Sequence, residues 1–529
     1  MKETFAILTK NKFVKLSLAL YVILTFGLGF LVIYSNDLLR SLLNDYLMPQ
    51  NLTGFIPKLL LVAGLFIAVF LIQMLTTAIL QQFVWGGQKN LLSFYMNRLL
   101  RSEYAFFVKN ESAEIWSNLN MATQGVSNLF GNFIDLAALC IGLVFYGVVV
   151  FSIDFYAGIF TIAIVPVFFV VTVKVSNGLM PLQRKLMTDH GKMSVAAQEA
   201  LNNVANVKAK NTYNFFVERV IGIQKSISKN QRNVNISMAY IGGISGLVSF
   251  ISPLLILFVA MQFSNGLTAD VGTVMVLYIN IPLFLRSFVA IYQKYVMYKA
   301  GIPSLNKLQT FKDIPPEKVG GVHISTFETL ETKGVKVKFD TGHEISIPDF
   351  SIKKGEKIVL CGESGVGKST IFSCIIGLNP NYTGDIYING VNLNLIDVEA
   401  LRNLIGIAFQ NTNVLTLDLK DNIALGQNNA NIDEVIALTN LGSQSDIKAD
   451  ELLTNTTLSG GEKSRLGLAQ TLLRKTEVIL IDESFSNLDE GMEENIIKQL
   501  FEKFPQKTFV CISHRATSQR FYDRVIDFS

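Results

Sequence analysis

Two stretches of this 529-residue chain hold residue types suited to phosphate chemistry. Gly362-Glu363-Ser364-Gly365-Val366-Gly367-Lys368-Ser369-Thr370 sets three glycines ahead of a lysine and two hydroxyls. Glycines let backbone N–H groups close on a phosphate, and a helix starting at the lysine adds the positive potential of its N-terminus. In that arrangement Lys368 reaches the β- and γ-phosphates of a nucleoside triphosphate and Ser369 ligates Mg²⁺. About a hundred residues on, the apolar run Val478-Ile479-Leu480-Ile481 ends in Asp482-Glu483. A carboxylate at a buried strand's end suits a second contact to the same metal, which assigns that role to Asp482.

These residues need a sheet edge to hold them. Lys357-Ile358-Val359-Leu360-Cys361 reads as a buried strand entering the glycine loop, and Ser369–Gly377 as the helix leaving it. Val478–Ile481 and Thr508–Ile512 read as two more strands, so the C-terminal part is expected to be a soluble α/β domain. Before it, residues 296–330 carry Pro303, Pro315, Pro316 and Gly320-Gly321, which reads as a linker.

The first 300 residues differ in kind. The chain is half hydrophobic and only 17% charged, and its apolar excess is concentrated there. Six runs of bilayer-spanning length can be drawn, at about 13–34, 57–81, 131–152, 155–176, 239–263 and 271–293. The first lacks a small-residue cleavage site and reads as a membrane helix, not a signal peptide. Segments 35–56, 153–154 and 264–270 are short, with Arg40 their one Lys or Arg. The long segments 82–130 and 177–238 are rich in basic residues, among them Arg98, Arg101, Lys185, Lys208 and Arg219. The positive-inside rule puts the long segments and both termini in the cytoplasm of an inner or plasma membrane. Arg286 is the notable charge within the spans, and two readings stand: it lines a water-filled cavity, or it snorkels to headgroups. The net charge of +4 carries no nucleic-acid footprint, and Cys140, Cys361, Cys374 and Cys511 lack metal spacing and read as buried, reduced thiols.

A third stretch, Leu458-Ser459-Gly460-Gly461-Glu462, resembles the signature of the ATP-binding-cassette (ABC) family. The resemblance implies an exporter-type half-transporter. Its fold is an all-α polytopic membrane domain (1–300), a linker (301–330) and an α/β P-loop ATPase domain with a short helical subdomain (331–529). The family pattern places the other site residues in order. Glu483 polarises the attacking water. Gln410, in Ile407-Ala408-Phe409-Gln410, resembles the Q-loop glutamine linking Mg²⁺ to the membrane-domain interface. Asp489, in Ser486-Asn487-Leu488-Asp489, resembles the D-loop, and His514 the switch histidine at the γ-phosphate. Phe339 is the nearest aromatic to the usual adenine-stacking position. Ser459, Gly460, Gly461 and Glu462 are expected to close over ATP held by the glycine loop of a second chain. Short helices at the tips of the cytoplasmic excursions are expected to touch the ATPase domains, with 111–120 and 209–217 as the candidates. The span between Asn422-Ile423 and the signature is short for the family, which implies a trimmed helical subdomain.

The expected activity is ATP hydrolysis, with ATP and Mg²⁺, coupled to outward transport or flipping of an amphipathic substrate: a lipid, lipid-linked saccharide, drug or peptide. The partners implied are the bilayer and a second copy, or a related half-transporter. About a dozen residues precede the first span, so no fused peptidase domain is expected. The alternatives are an ATP-gated channel or regulator and an importer built on the exporter fold.

Overall fold

The computed structural model describes residues 1–47, 52–153, 155–156, 158–163, 166, 170, 179–318, 320–339, 342–427, 431–441, 452–454, 457–485, 488–513 and 517–528, save 264–270. Two compact units emerge, Met1–Arg101 with Lys109–Ile314, and Ser102–Val108 with Pro315–Ser529.

Long helices build the first unit: Lys12–Leu42, Leu52–Leu100, Ser112–Ile153, Leu179–Asn202, Tyr213–Phe263 and Val271–Lys312. Four helical stretches among the described residues are long and apolar enough to cross a bilayer, and they hold the first, second, third and sixth expected spans. The expected fifth span lies on Tyr213–Phe263, and most of the fourth lies outside the described residues. Large side chains such as Phe13, Leu60, Phe70 and Phe250 stand exposed on these helices. An apolar exterior of this kind is what a lipid solvent accepts.

At 1.5 Å per residue the 49-residue helix Leu52–Leu100 is roughly 74 Å long, well beyond a bilayer core of about 30 Å. Its surplus is the first excursion. The short helices after each excursion's first arm are Tyr104–Lys109 and Val204–Ala209. Residues 112–120 instead open the returning helix, and Tyr213 starts the second return. The chain turns back at 110–111 and 210–212, so the short helices lie just ahead of the expected 111–120 and 209–217, and the second shares Ala209 with the latter. The expected linker also begins later, because the last long helix runs through Pro282 and Pro303 to Lys312. Each proline costs one helix hydrogen bond, which packing against neighbouring helices tolerates.

In the second unit a parallel sheet has the order β10-β4-β9-β8-β7, where β4 is Lys357–Cys361, β7 Ile405–Ala408, β8 Val478–Asp482, β9 Thr508–Ile512 and β10 Arg524–Asp527. Its strands are apolar throughout because both faces are covered. Ile358, Leu360, Leu480, Val510 and Ile512 enter one core with Ile371 and Phe372 of the helix after the glycine loop. The intervening Val359, Ile479, Ile481, Phe509 and Cys511 enter the other, with Leu466 and Ala469. The period of two thus sorts each strand between two cores. A second, antiparallel sheet orders β2-β1-β5-β6, with β1 at Thr329–Lys338, β2 at Glu344–Ser346, β5 at Tyr382–Ile388 and β6 at Val391–Asn392, and β3 (Ser351–Lys353) also paired to β1. Cys374 and Cys511 are buried as expected, whereas Cys361 is half-buried and Cys140 exposed on the outer face of its helix.

Candidate functional site

The glycine loop, Asp482 with Glu483, and Gln410 lie at the C-terminal ends of parallel strands, where open α/β sheets bind ligands. Gly362–Gly367 leaves β4 and turns into the helix Lys368–Ile375. Gly367 is the N-cap, with φ of 107°, a left-handed conformation that glycine adopts freely. A Cβ there would stand 2.6 Å from Ile345 and 2.8 Å from Ile347, so the neighbouring antiparallel sheet packs against this point of the loop. Val366 anchors the loop in the core, while Glu363, Ser364 and Gly365 stay exposed. The buried Lys368 ammonium donates to the carbonyls of Gly362 at 2.8 Å and Glu363 at 2.7 Å, which folds the lysine over the loop. Thr370 is half-buried one residue beyond Ser369.

Ser369 Oγ donates to Asp482 Oδ1 at 2.7 Å. Two oxygens from segments 113 residues apart thus converge. Burial holds the Asp482 carboxyl above the usual carboxylate range and the Glu483 charge adds to this, against the opposing pull of Ser369 and Lys368. Such a site gains from a cation. Mg²⁺ characteristically takes one or two carboxylates and completes its shell with waters and substrate phosphates. A hydroxyl and one carboxylate beside a phosphate loop fit that donor set.

Glu483, next along, has φ of 46°. A non-glycine residue in the left-handed region stores strain of order 1 kcal/mol, and such strain clusters at functional sites. The turn is pinned by Ser484, whose Oγ donates to the Ala408 carbonyl at 3.1 Å. From the end of β7, Gln410 Nε2 donates to Glu483 Oε2 at 2.8 Å. The register Ala408↔Ile481 between β7 and β8 makes this meeting possible. On the other side Asp482 pairs with Ile512 of β9. His514 lies two residues past that strand and outside the described residues, as do Ser486 and Asn487.

The signature is a helix start. Leu458 is buried as an anchor, while Ser459 and Gly460 are exposed at the N-terminus of Gly460–Leu473. Ser459 accepts from Glu462 N at 3.3 Å, and Glu462 Oε2 accepts from Ser459 N at 2.8 Å. This reciprocal pair is a capping box, which satisfies two of the helix's orphan donors. Glu462 is thus turned onto its own cap, while the glycine N–H groups keep the helix's positive end. Asp489 caps the helix Glu490–Lys503 with its side chain alone, accepting from Met492 N at 2.8 Å. Phe339 is partly exposed just past β1, its ring stacked on His343 at 6.4 Å. That hairpin includes Ile345, the residue that meets Gly367. Arg286 is exposed on its helix.

The family model described as the ABC transporter transmembrane region matches residues 18–288, more than half of the chain. The model described as ABC transporter matches residues 345–486. The chain belongs to the ABC transporters. Its fusion of a helical membrane domain to a nucleotide-binding domain is that of exporter-type half-transporters. Among similar ABC proteins is the lactococcin-A transport/processing ATP-binding protein of Lactococcus lactis, 23% identical over 92% of this chain and 71% of that protein. Another is the mycobactin import ATP-binding/permease protein IrtB of Mycolicibacterium thermoresistibile, 30% identical over 46% of this chain and 44% of that one. The chain therefore spans less than half of that relative. A solved bacterial Atm1-family ABC exporter with ATP bound matches at a TM-score of 0.79 and 18% identity, covering 97% of this chain and 94% of that one. That likeness shows the fold.

One polar group escaped the sequence reading. Lys294 Nζ lies 2.6 Å from Asp135 Oδ2, and Tyr21 OH donates to Asp135 Oδ1 at 3.0 Å. Asp135 falls inside the expected third span, and an acid there is itself a signal that a partner or cavity is near.

Proposed function

We propose that the chain is one half of a symmetric ATP-driven exporter, which carries an amphipathic substrate outward by alternating access. Residues 1–300 are its membrane domain and 331–529 its cassette, in an inner or plasma membrane with the cassette and both termini cytoplasmic. The convergence of Ser369 with Asp482 and of Gln410 with Glu483 at one sheet edge supports the reading most. Those four residues supply metal contacts and a held carboxylate beside a phosphate loop.

In this reading Lys368, the loop N–H groups and His514 stabilise charge on the phosphates, and Phe339 stacks on adenine. Ser369 and Asp482, with Gln410, would hold Mg²⁺, which supplies charge neutralisation on the β- and γ-oxygens. Glu483 orients the attacking water, with Gln410 fixing its rotamer. Ser459, Gly460 and Gly461 of a second copy present N–H groups to the same nucleotide, and Asp489 lies at that seam. One exposed signature and one exposed phosphate loop per chain suit a two-fold pair, homodimeric by preference, with a related half-transporter as the other option. Helices 104–109 and 204–209 are the segments assigned to coupling. Inverted proteoliposomes test the reading: ATP-dependent uptake of an amphipathic probe is expected from wild type and lost in Glu483→Gln. Equal uptake by that variant would defeat it.

The mycobactin permease supports a second reading, an importer on the same fold. Oriented vesicles separate the two, because export moves the probe away from the side that holds ATP and import moves it toward that side.

A further inference from the structure

The ion pair between Asp135 and Lys294 borders a cavity of about 270 Å³ within the first unit. The walls come from helices Lys12–Leu42, Leu52–Leu100, Ser112–Ile153 and Val271–Lys312. Part of the lining is polar: besides the ion pair and Tyr21, the amides of Gln73 and Gln81 line the cavity and offer donors and acceptors. Thr76 also lines it, and since its hydroxyl donates to Gln73 O at 2.8 Å, its oxygen is left as an acceptor. Apolar residues, among them Leu28, Leu139 and Phe145, also line it. Asp135 lies 18 residues before the end of its helix, roughly 27 Å along the axis. With a hydrocarbon core of about 30 Å, the pair sits near the inner end of the span.

We propose that this cavity is a subsite for the head of a zwitterionic amphiphile, a molecule with an ammonium and an anionic group on an apolar body. The proposal rests on the reading of the chain as a carrier of amphipathic cargo and names the part of the cargo that is recognised. The two fixed charges are 2.6 Å apart and neutralise each other. A ligand with both signs can take each partner over, its ammonium on Asp135 and its anion on Lys294, without adding net charge to a low-dielectric site. A singly charged ligand leaves one protein charge unpaired, the costly outcome. Tyr21 keeps the carboxylate aimed, since its hydrogen bond takes Oδ1 while the ion pair takes Oδ2. The volume is below the few hundred Å³ and upward of whole-ligand pockets, so it suits a head group with the apolar body outside.

The test is equilibrium dialysis of the full chain in nanodiscs without nucleotide, a readout that does not depend on ATP turnover or transport. The probes are trileucine with free ends, its N-acetyl form, its C-amide form, and dihexanoyl phosphatidylethanolamine. The free-ended peptide is expected to bind at least ~10-fold tighter than either blocked form, a difference of about 1.4 kcal/mol. Asp135→Asn should erase that advantage over the N-acetyl form alone, and Lys294→Met over the C-amide form alone. If Lys294→Met does not reconstitute, Asp135→Asn, which still offers Tyr21 an acceptor, carries the test. Tighter binding by the lipid, with the same response to both substitutions, identifies a lipid head as the source; tighter binding by trileucine identifies a peptide. The proposal is overturned if no probe binds saturably, if the three peptides bind alike to wild type, or if the substitutions weaken all probes equally. That last result would make the pair a helix–helix tie only.

Discussion

Ser369 and Asp482, 113 residues apart in the chain, meet in one hydrogen bond of 2.7 Å. The serine opens the helix after β4 and the aspartate ends β8, with β9 between those strands. Their meeting is a property of the strand order, and it fixes where a metal and a phosphate would sit.

Asp482 gives this site a pH signature. Burial raises its folded-state pKa above the ordinary carboxylate value, with the Glu483 charge adding to the shift. For a raised carboxyl, the native state holds the proton more tightly than the unfolded one. Nucleotide-free stability is therefore favoured at pH below the raised value and declines as pH rises through the window above the unfolded value of about 3.9. Asp482→Asn should remove that decline in thermal melts at successive pH values. Mg²⁺ needs the ionised form, so Mg·ATP affinity in wild type should weaken on acidification at a higher pH than for an ordinary carboxylate.

Gln410 and Glu483 should act as a unit. Glu483→Gln is expected to lower kcat by about 10²–10⁴ with ATP binding retained. Gln410→Ala, which frees the carboxylate from its 2.8 Å donor, should lower kcat about 10-fold. The double variant should be no worse than Glu483→Gln alone. Steady-state phosphate release across the four proteins measures this, and strictly multiplicative losses would show that the two side chains work independently.

The signature's last residue has a structural task that can be read separately. Glu462→Ala removes half of the capping box, worth about 1 kcal/mol. Hydrogen exchange at the Ser459 and Glu462 amides should accelerate about 5-fold, since 1.4 kcal/mol is a factor of 10. Glu462→Gln should preserve protection, because a glutamine carbonyl accepts the same bond.

Asn422 is the hub of the segment between Gln410 and the signature. It is fully buried, accepts from Leu415 N at 2.8 Å, and donates to the carbonyls of Leu415, Leu417 and Asp418. Asn422→Ala strands those groups and should cost about 2–4 kcal/mol, seen as a fall in the cassette's melting temperature. An unchanged melt would mean that water replaces the amide at no cost.

The nucleotide site was legible in sequence because phosphate contact constrains residue type at fixed spacing: nothing but glycine suits the left-handed Gly367 against Ile345, and a buried strand must precede Asp482. The first, second, third and sixth spans were legible because hydropathy over some twenty residues is a strong signal. The short helices at 104–109 and 204–209 were placed a few residues late, since they were inferred from position along the excursion and no residue type marks them. The last long helix outran its expected end because Pro303, read as a breaker, is carried by its neighbours. Asp135 and Lys294 were missed for another reason. Asp135 lies inside its span and Lys294 just past the end of another, and what makes them a site is a contact between positions 159 residues apart in the chain. The part of the helical subdomain at residues 442–451 lies outside the described residues, so the expected trimming stays a matter of chain length.

The central claim is that each ATP site is shared by two chains, Lys368 of one with Ser459 of the other. Lys368→Ala and Ser459→Arg should each abolish ATPase activity as pure proteins. In a mixed dimer both defects fall on one shared site and leave the other intact, so a 1:1 co-reconstitution should recover about a quarter of wild-type activity. No recovery, with mixed dimers demonstrated by affinity tags, would contradict the claim.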